Sequence, residues 1–139
     1  MDTSALFHFL NQKVRLLSKE LNEHLHKHDL YTSQWTILYV LSEKGPMSQT
    51  DIWQYLKVEA PTMTRTLARM ETSGWIHRKP GKDKRERIVV LTEEAKENLP
   101  EVKHTIKQFE QQFAAYLSNS EQEQLYHLLE KLGTKRGDE

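Results

Sequence analysis

Over residues 7–21 the apolar positions Phe7, Leu10, Val14, Leu17 and Leu21 advance in steps of three and four. That spacing predicts a long amphipathic helix with a seam narrow enough to meet another helix. Ser33 is placed to cap a second helix carrying Trp35, Leu38, Tyr39 and Leu41 and stopped by Gly45 and Pro46. Ser48 with Asp51 resembles a capping box and opens a short helix bearing Ile52, Tyr55 and Leu56. Pro61 suits the first turn of the next helix, which runs to Ser73 and stops at Gly74. Beyond Gly74 the period shortens. Residues 75–79 and 87–91 predict two strands of a β-hairpin whose tip is Pro80, Gly81, Lys82, Asp83, Lys84 and Arg85. Thr92 caps a further helix, with Glu93 and Glu94 at the positive end of its dipole. Val102, Ile106, Phe109, Phe113 and Tyr116 repeat the narrow seam after Pro100, which is expected to kink or break the helix. Ser120 with Glu123 forms an S-x-x-E box for a last helix bearing Leu125, Leu128, Leu129 and Leu132 and closed by Gly133, followed by a frayed tail.

The expected fold is mostly α, with about six helices and a two-stranded β wing. The order helix, short turn, helix, hairpin over residues 48–91 is that of a winged helix-turn-helix. Long helices with so narrow an apolar stripe favour pairing between subunits. The chain therefore divides into an N-terminal dimerisation helix (1–31), a winged helix-turn-helix (32–92) and C-terminal dimerisation helices (93–139), intertwined as one domain. Its 139 residues, 37% apolar and 29% charged, suit a single globular domain. No apolar run is long enough to span a bilayer and the first ten residues lack the features of a secretory signal, so the expected location is the cytoplasm. The absence of cysteine excludes disulfides, thiolate metal ligands, a Cys nucleophile and thiol-based redox sensing.

Charge changes the picture. The formal net charge is zero, yet residues 57–88 hold nine basic side chains (Lys57, Arg65, Arg69, Arg78, Lys79, Lys82, Lys84, Arg85, Arg87) against four acidic ones, a local +5. Such a block is either a solvated charged face or a patch for a polyanion. The helix starting near Pro61 favours the second reading. At about 100° per residue, Met63, Leu67 and Met70 share one face, while Pro61, Thr62, Arg65, Arg69 and Thr72 share the other. Short hydroxyls permit close approach to a major groove, and arginine grips guanine O6 and N7 with two hydrogen bonds, which singles out Arg65 as a base reader. Thr62 and Thr64 are base contacts or phosphate donors. The tip residues Lys82, Lys84 and Arg85, with Arg87 behind them, suit a minor groove or the adjacent sugar-phosphate rail, Arg85 being the insertion candidate. A carboxylate at Asp83 is repelled by phosphates, so its expected role is to orient the wing by pairing with Arg69 or Arg87.

The run Val58-Glu59-Ala60-Pro61-Thr62-Met63-Thr64-Arg65, with Leu67, Met70-Glu71, Gly74, Trp75-Ile76, Arg78, Asp83-Lys84-Arg85 and Val90-Leu91-Thr92, closely resembles the MarR family of bacterial transcriptional regulators. The resemblance implies a homodimer with interlocked terminal helices, a winged helix-turn-helix in each subunit and binding to a pseudo-palindromic operator in double-stranded DNA, hence association with the nucleoid. It also implies repression relieved by a small ligand lodged between the two regions. Three departures stand out: Glu59 where a Ser-like cap is usual, Pro100 within a helix commonly continuous in the family, and no cysteine for peroxide sensing.

Other constellations stand beside this one. His24 and His28, four apart on one helix face, with His104 and Glu101 elsewhere, form a minor metal candidate and the basis of a zinc-responsive alternative. Trp35, Tyr39, Trp53 and Tyr55 are candidates for a ligand pocket, although aromatics at helical spacing also describe plain core. No catalytic motif occurs, so no enzyme activity and no cofactor are expected. The rival class is a winged helix that docks an acidic protein and never meets DNA.

Overall fold

A computed structural model describes residues 1–83 and 85–134. Lys84 of the hairpin tip and the tail 135–139 lie outside the described residues. The chain forms two compact units, Met1–Ile106 and Lys107–Glu139. The first holds α1 (Thr3–Leu25), a 3₁₀ turn (His26–His28), α2 (Thr32–Lys44), β1 (Met47–Ser48), α3 (Gln49–Leu56), α4 (Ala60–Thr72), β2 (Ile76–Pro80), β3 (Arg87–Leu91) and the start of α5 (Glu93–Phe113). The second holds the end of α5 and α6 (Asn119–Lys131).

Among the described residues six α-helices are present, as the periodicity predicts, and the differences lie at their ends. The cap expected at Ser33 belongs elsewhere: α2 begins at Thr32, whose backbone N–H and hydroxyl both donate to Asn22 Oδ1 of α1 at 2.7 Å. An orphan donor at a helix start needs any acceptor, and here another helix supplies it. Ser48 does cap α3, its Oγ accepting from Asp51 N–H at 3.0 Å. Glu59 precedes α4 without a side-chain cap, and its carbonyl accepts from Met63 N–H at 3.0 Å. The S-x-x-E box of α6 is Ser118 with Glu121, two residues before the expected pair Ser120 and Glu123. Both pairs satisfy the pattern, and only the path of the chain chooses between them. The backbone and hydroxyl hydrogen bonds from Ser118 hold the Glu121 carboxyl below its ordinary range.

Pro100 lies inside α5, so of the kink or break expected from sequence the break does not occur. The bond it cannot make would run to the Lys96 carbonyl, and both residues are exposed, so water can solvate the freed acceptor. The start of α5 is fixed as expected: Thr92 Oγ1 accepts from Ala95 N–H at 3.0 Å and donates to the Gly74 carbonyl at 2.6 Å.

The two-stranded wing is in fact part of a three-stranded antiparallel sheet in the order β1-β3-β2. Ile76 to Pro80 pair in register with Leu91 to Arg87, and Met47 and Ser48 pair with Val89 and Ile88. A two-residue strand has no period to read, so only its partner reveals it. The fully buried side chains of the first unit include Ile37, Leu38, Ile52, Leu67, Met70, Ile76 and Val89. They come from α2, α3, α4 and both long strands, which fastens the wing to the helices.

The step from α4 to β2 is a tight one. Gly74, at φ 87°, donates to the Glu71 carbonyl at 3.1 Å and Trp75 N–H to the Met70 carbonyl at 2.9 Å, the two bonds of a Schellman stop. Glycine suits that left-handed backbone because it carries no Cβ. The reversal brings Glu71 onto β2, where Oε2 accepts from Arg78 N–H at 2.9 Å and Oε1 from Arg78 Nη2 at 3.0 Å. Arg78 Nη1 also donates to Gln49 Oε1 of α3 at 3.3 Å. The Arg78 guanidinium, then its backbone N–H, hold the Glu71 carboxyl below its ordinary value of 4.5, with nearby His77 adding a smaller pull.

Leu67→Ala is expected to lower unfolding free energy by about 2–5 kcal/mol, the usual cost of emptying a core leucine site, measured by urea titration. The Glu71–Arg78 pair should contribute stability above the ordinary carboxyl value that is lost as pH falls through the lowered one. With Glu71 partly solvated, Glu71→Gln should cost about 1 kcal/mol or less at pH 7. The difference from wild type should vanish in acid, as followed by urea midpoints from pH 7 downward.

Candidate nucleic-acid interface

The polar face of α4 is created by what the other face buries. Met63, Leu67 and Met70 are each 3% exposed or less, which turns Pro61, Thr62, Thr64, Arg65 and Arg69 outward into solvent. The two threonine hydroxyls are not equivalent. Thr64 Oγ1 donates to the Ala60 carbonyl at 2.9 Å, while Thr62 Oγ1 accepts a long contact from Arg65 Nη2 at 3.4 Å. Because no side chain caps α4, its first amide groups stay available to an acceptor from outside, and the missing N–H of Pro61 costs nothing there.

Exposed Lys82, Asp83, Arg85 and Arg87 lie at and behind the wing tip, while Lys84 lies outside the described residues. The tip closes on itself: Gly81 N–H donates to the Glu86 carbonyl and Glu86 N–H to the Asp83 carbonyl, both at 3.0 Å. Asp83 has a different partner from either one expected. Its Oδ1 accepts from Arg85 N–H at 3.2 Å, and among the described residues it pairs with neither Arg69 nor Arg87. A carboxylate two residues before an amide reaches it more easily than it spans the gap to a helix, so Asp83 shapes the tip. The wing is tied to α4 by Glu71 and Arg78 instead. Two opposite charges flanking a helix-stopping glycine hinted at that pair, but nothing in the spacing pointed to Gln49.

The four aromatic candidates differ in exposure and in their neighbours. Trp35 is buried, with its ring centroid 5.9 Å from that of Tyr39, which is half exposed. Tyr55 is also half exposed and lies under the Lys44 ammonium at 4.5 Å, and Trp53 is half-buried. A groove of about 450 Å³ opens elsewhere, lined by Leu41, Val90, Leu91, Leu99 and Pro100 with Lys103, whose ammonium contacts the Ser42 hydroxyl.

The histidine set is taken apart by the fold. His24 lies in α1, whereas His28 lies in the 3₁₀ turn after that helix ends, so the spacing of four is not one α-helical face. His28 Nε2 is bonded to Thr105 Oγ1 at 2.9 Å. Among the described residues no three His, Asp or Glu side chains, His104 and Glu101 included, gather as a metal site. No helix among them is long and apolar enough to cross a membrane.

The sequence profile of the MarR family matches residues 30–86. The uncharacterized HTH-type transcriptional regulator YwoH of Bacillus subtilis is 46% identical over 123 residues, covering 88% of this chain and 90% of that protein. The homoprotocatechuate degradative operon repressor of Escherichia coli is 31% identical, covering 81% of this chain and 79% of that one. Among solved structures, a mutant MarR from E. coli complexed with operator DNA superposes with a TM-score of 0.81 at 26% identity, over 94% of this chain and 93% of that one. The family and these relatives are transcriptional regulators, not enzymes. With a winged helix-turn-helix matched over nearly its whole length, this chain belongs to the MarR family of transcriptional regulators.

Proposed function

We propose that the chain is a homodimeric repressor of a pseudo-palindromic operator, with α4 in the major groove and the wing in or beside the minor groove. The observation that carries this reading is the face of α4: five residues able to meet DNA stand exposed opposite an apolar stripe that is fully buried. In this proposal Arg65 reads a base, Thr62, Thr64 and Arg69 contact bases or phosphates, and Lys82, Lys84, Arg85 and Arg87 engage the wing-side groove and rail. The operator complex of the E. coli relative and the repressor among the relatives support it by kinship.

Residues 1–31 and 93–139 supply the dimer contacts. Support comes from apolar side chains left in solvent: Phe7, Phe9, Val14 and Leu17 on α1, and separately Leu125, Leu128 and Leu129 on α6, are all more than a third exposed. A soluble monomer rarely leaves so much apolar surface uncovered. Release by a small effector completes the proposal, and the groove beside Leu99 and Lys103 has the volume of a small-ligand site.

Fluorescence anisotropy with a selected operator tests the core claim. If each dimer neutralises about eight phosphates, log K should fall against log[salt] with a slope near −7, whereas a flat dependence favours a protein-docking role. Arg65→Ala should lose about 1–3 kcal/mol at one base position, while Lys82→Ala should weaken all sequences alike. In sedimentation velocity the chain should run as a dimer at micromolar concentration, and Leu128→Asp should shift it toward monomer. For the effector, a thermal-shift screen should find compounds that raise Tm in wild type and not in Ser42→Trp, which fills the groove.

A further inference from the structure

Of the basic side chains in the winged region, Arg78 is set apart by its partners. Its side chain is 24% exposed, whereas Arg65, Arg69, Arg85 and Arg87 stand in solvent. Its three contacts bind three elements at once: Nη1 holds Gln49 at the first residue of α3, Nη2 holds Glu71 in the last turn of α4, and its backbone N–H, in the middle of β2, meets the other oxygen of the same carboxylate. Both Glu71 oxygens are thereby occupied by one residue of the wing. A planar fork can face a carboxylate and an amide in two fixed directions, which the point charge of lysine cannot do. The covalent connection between α4 and β2 is the short turn 73–75.

We propose that Arg78, with Glu71 and Gln49, is a positioning clamp that sets the angle between the recognition helix and the wing, and so determines operator specificity without touching DNA. The proposal rests on the DNA-reading function above. If the helix and wing must meet their grooves together, holding their angle fixed lowers the ordering cost of the matched complex and penalises sites with another spacing. An arginine that bound phosphate would act differently, strengthening every sequence alike and steepening the salt dependence.

Two measurements test it. The chain has no cysteine, so Ala68→Cys on α4 and Lys82→Cys at the wing tip give unique spin-label sites, read by double electron–electron resonance without DNA and with labelled chain diluted into unlabelled chain. The clamp predicts one narrow distance distribution in the otherwise wild-type background and a broad one after Arg78→Gln. In binding, Arg78→Lys and Arg78→Gln should lower the ratio of operator to random-duplex affinity about tenfold, the scale of one lost base-edge contact, with random-duplex affinity and salt slope unchanged. Glu71→Gln combined with Arg78→Gln should be no worse than Arg78→Gln alone, since both remove one interaction. Circular dichroism and thermal melting verify that each variant is folded.

An unchanged distance distribution overturns the clamp, as does an unchanged specificity ratio in folded variants or a salt slope flattened by about 1, the mark of a lost phosphate contact. Failure of the DNA reading itself looks different, because it appears in the wild type as no preference for any duplex, and the label distances still decide whether Arg78 fixes the wing.

Discussion

The surface proposed to meet DNA depends on burying one side of α4. Met63, Leu67 and Met70 have no exposure to speak of, and the helix packs on α2, α3 and β2. Removing such side chains from water stabilises by about 1.5–3 kcal/mol each before entropy, far more than any surface ion pair nearby. The rotation of α4 about its own axis is therefore set by hydrophobic burial. The residues proposed to read DNA stand in solvent because they lie on the helix face opposite the stripe.

Burial fixes the helix roll but leaves the wing's angle less constrained. The hairpin is anchored by Ile76 and Val89, one inward side chain on each long strand. Past them β2 carries exposed His77, Lys79 and Pro80. A directional polar contact is needed where apolar contact runs out, and the Glu71 carboxylate supplies it at the point where chain reversal brings helix and strand together. The third strand acts in the same sense from the other edge: β1 covers the backbone of β3 that a free hairpin would leave unpaired.

Much of the fold was legible. The three-four spacing located the helices, the stripe of α4 predicted which of its residues are buried, and Gly74 and Thr92 marked the boundaries of the wing. The errors share a cause. The cap of α2 comes from Asn22 and not Ser33, the box of α6 is set by the chain path among two equivalent patterns, and Pro100 is tolerated because its surroundings are wet. Each depends on what stands beside the residue in space. The candidate site divides likewise: the exposed residues of α4 and the tip could be named from periodicity, whereas the partner of Asp83 and the separation of the histidines could not.

The sequence by itself determined the local elements and the sign of each surface, because helix period, caps and charge act over three or four residues and are written in neighbouring letters. The tertiary structure alone decided the junctions: β1 against β3, Asn22 against Thr32, and Gln49 with Glu71 around Arg78. Those contacts join residues 7 to 42 positions apart, where hydrogen-bond directionality matters and no repeating pattern records which groups will meet.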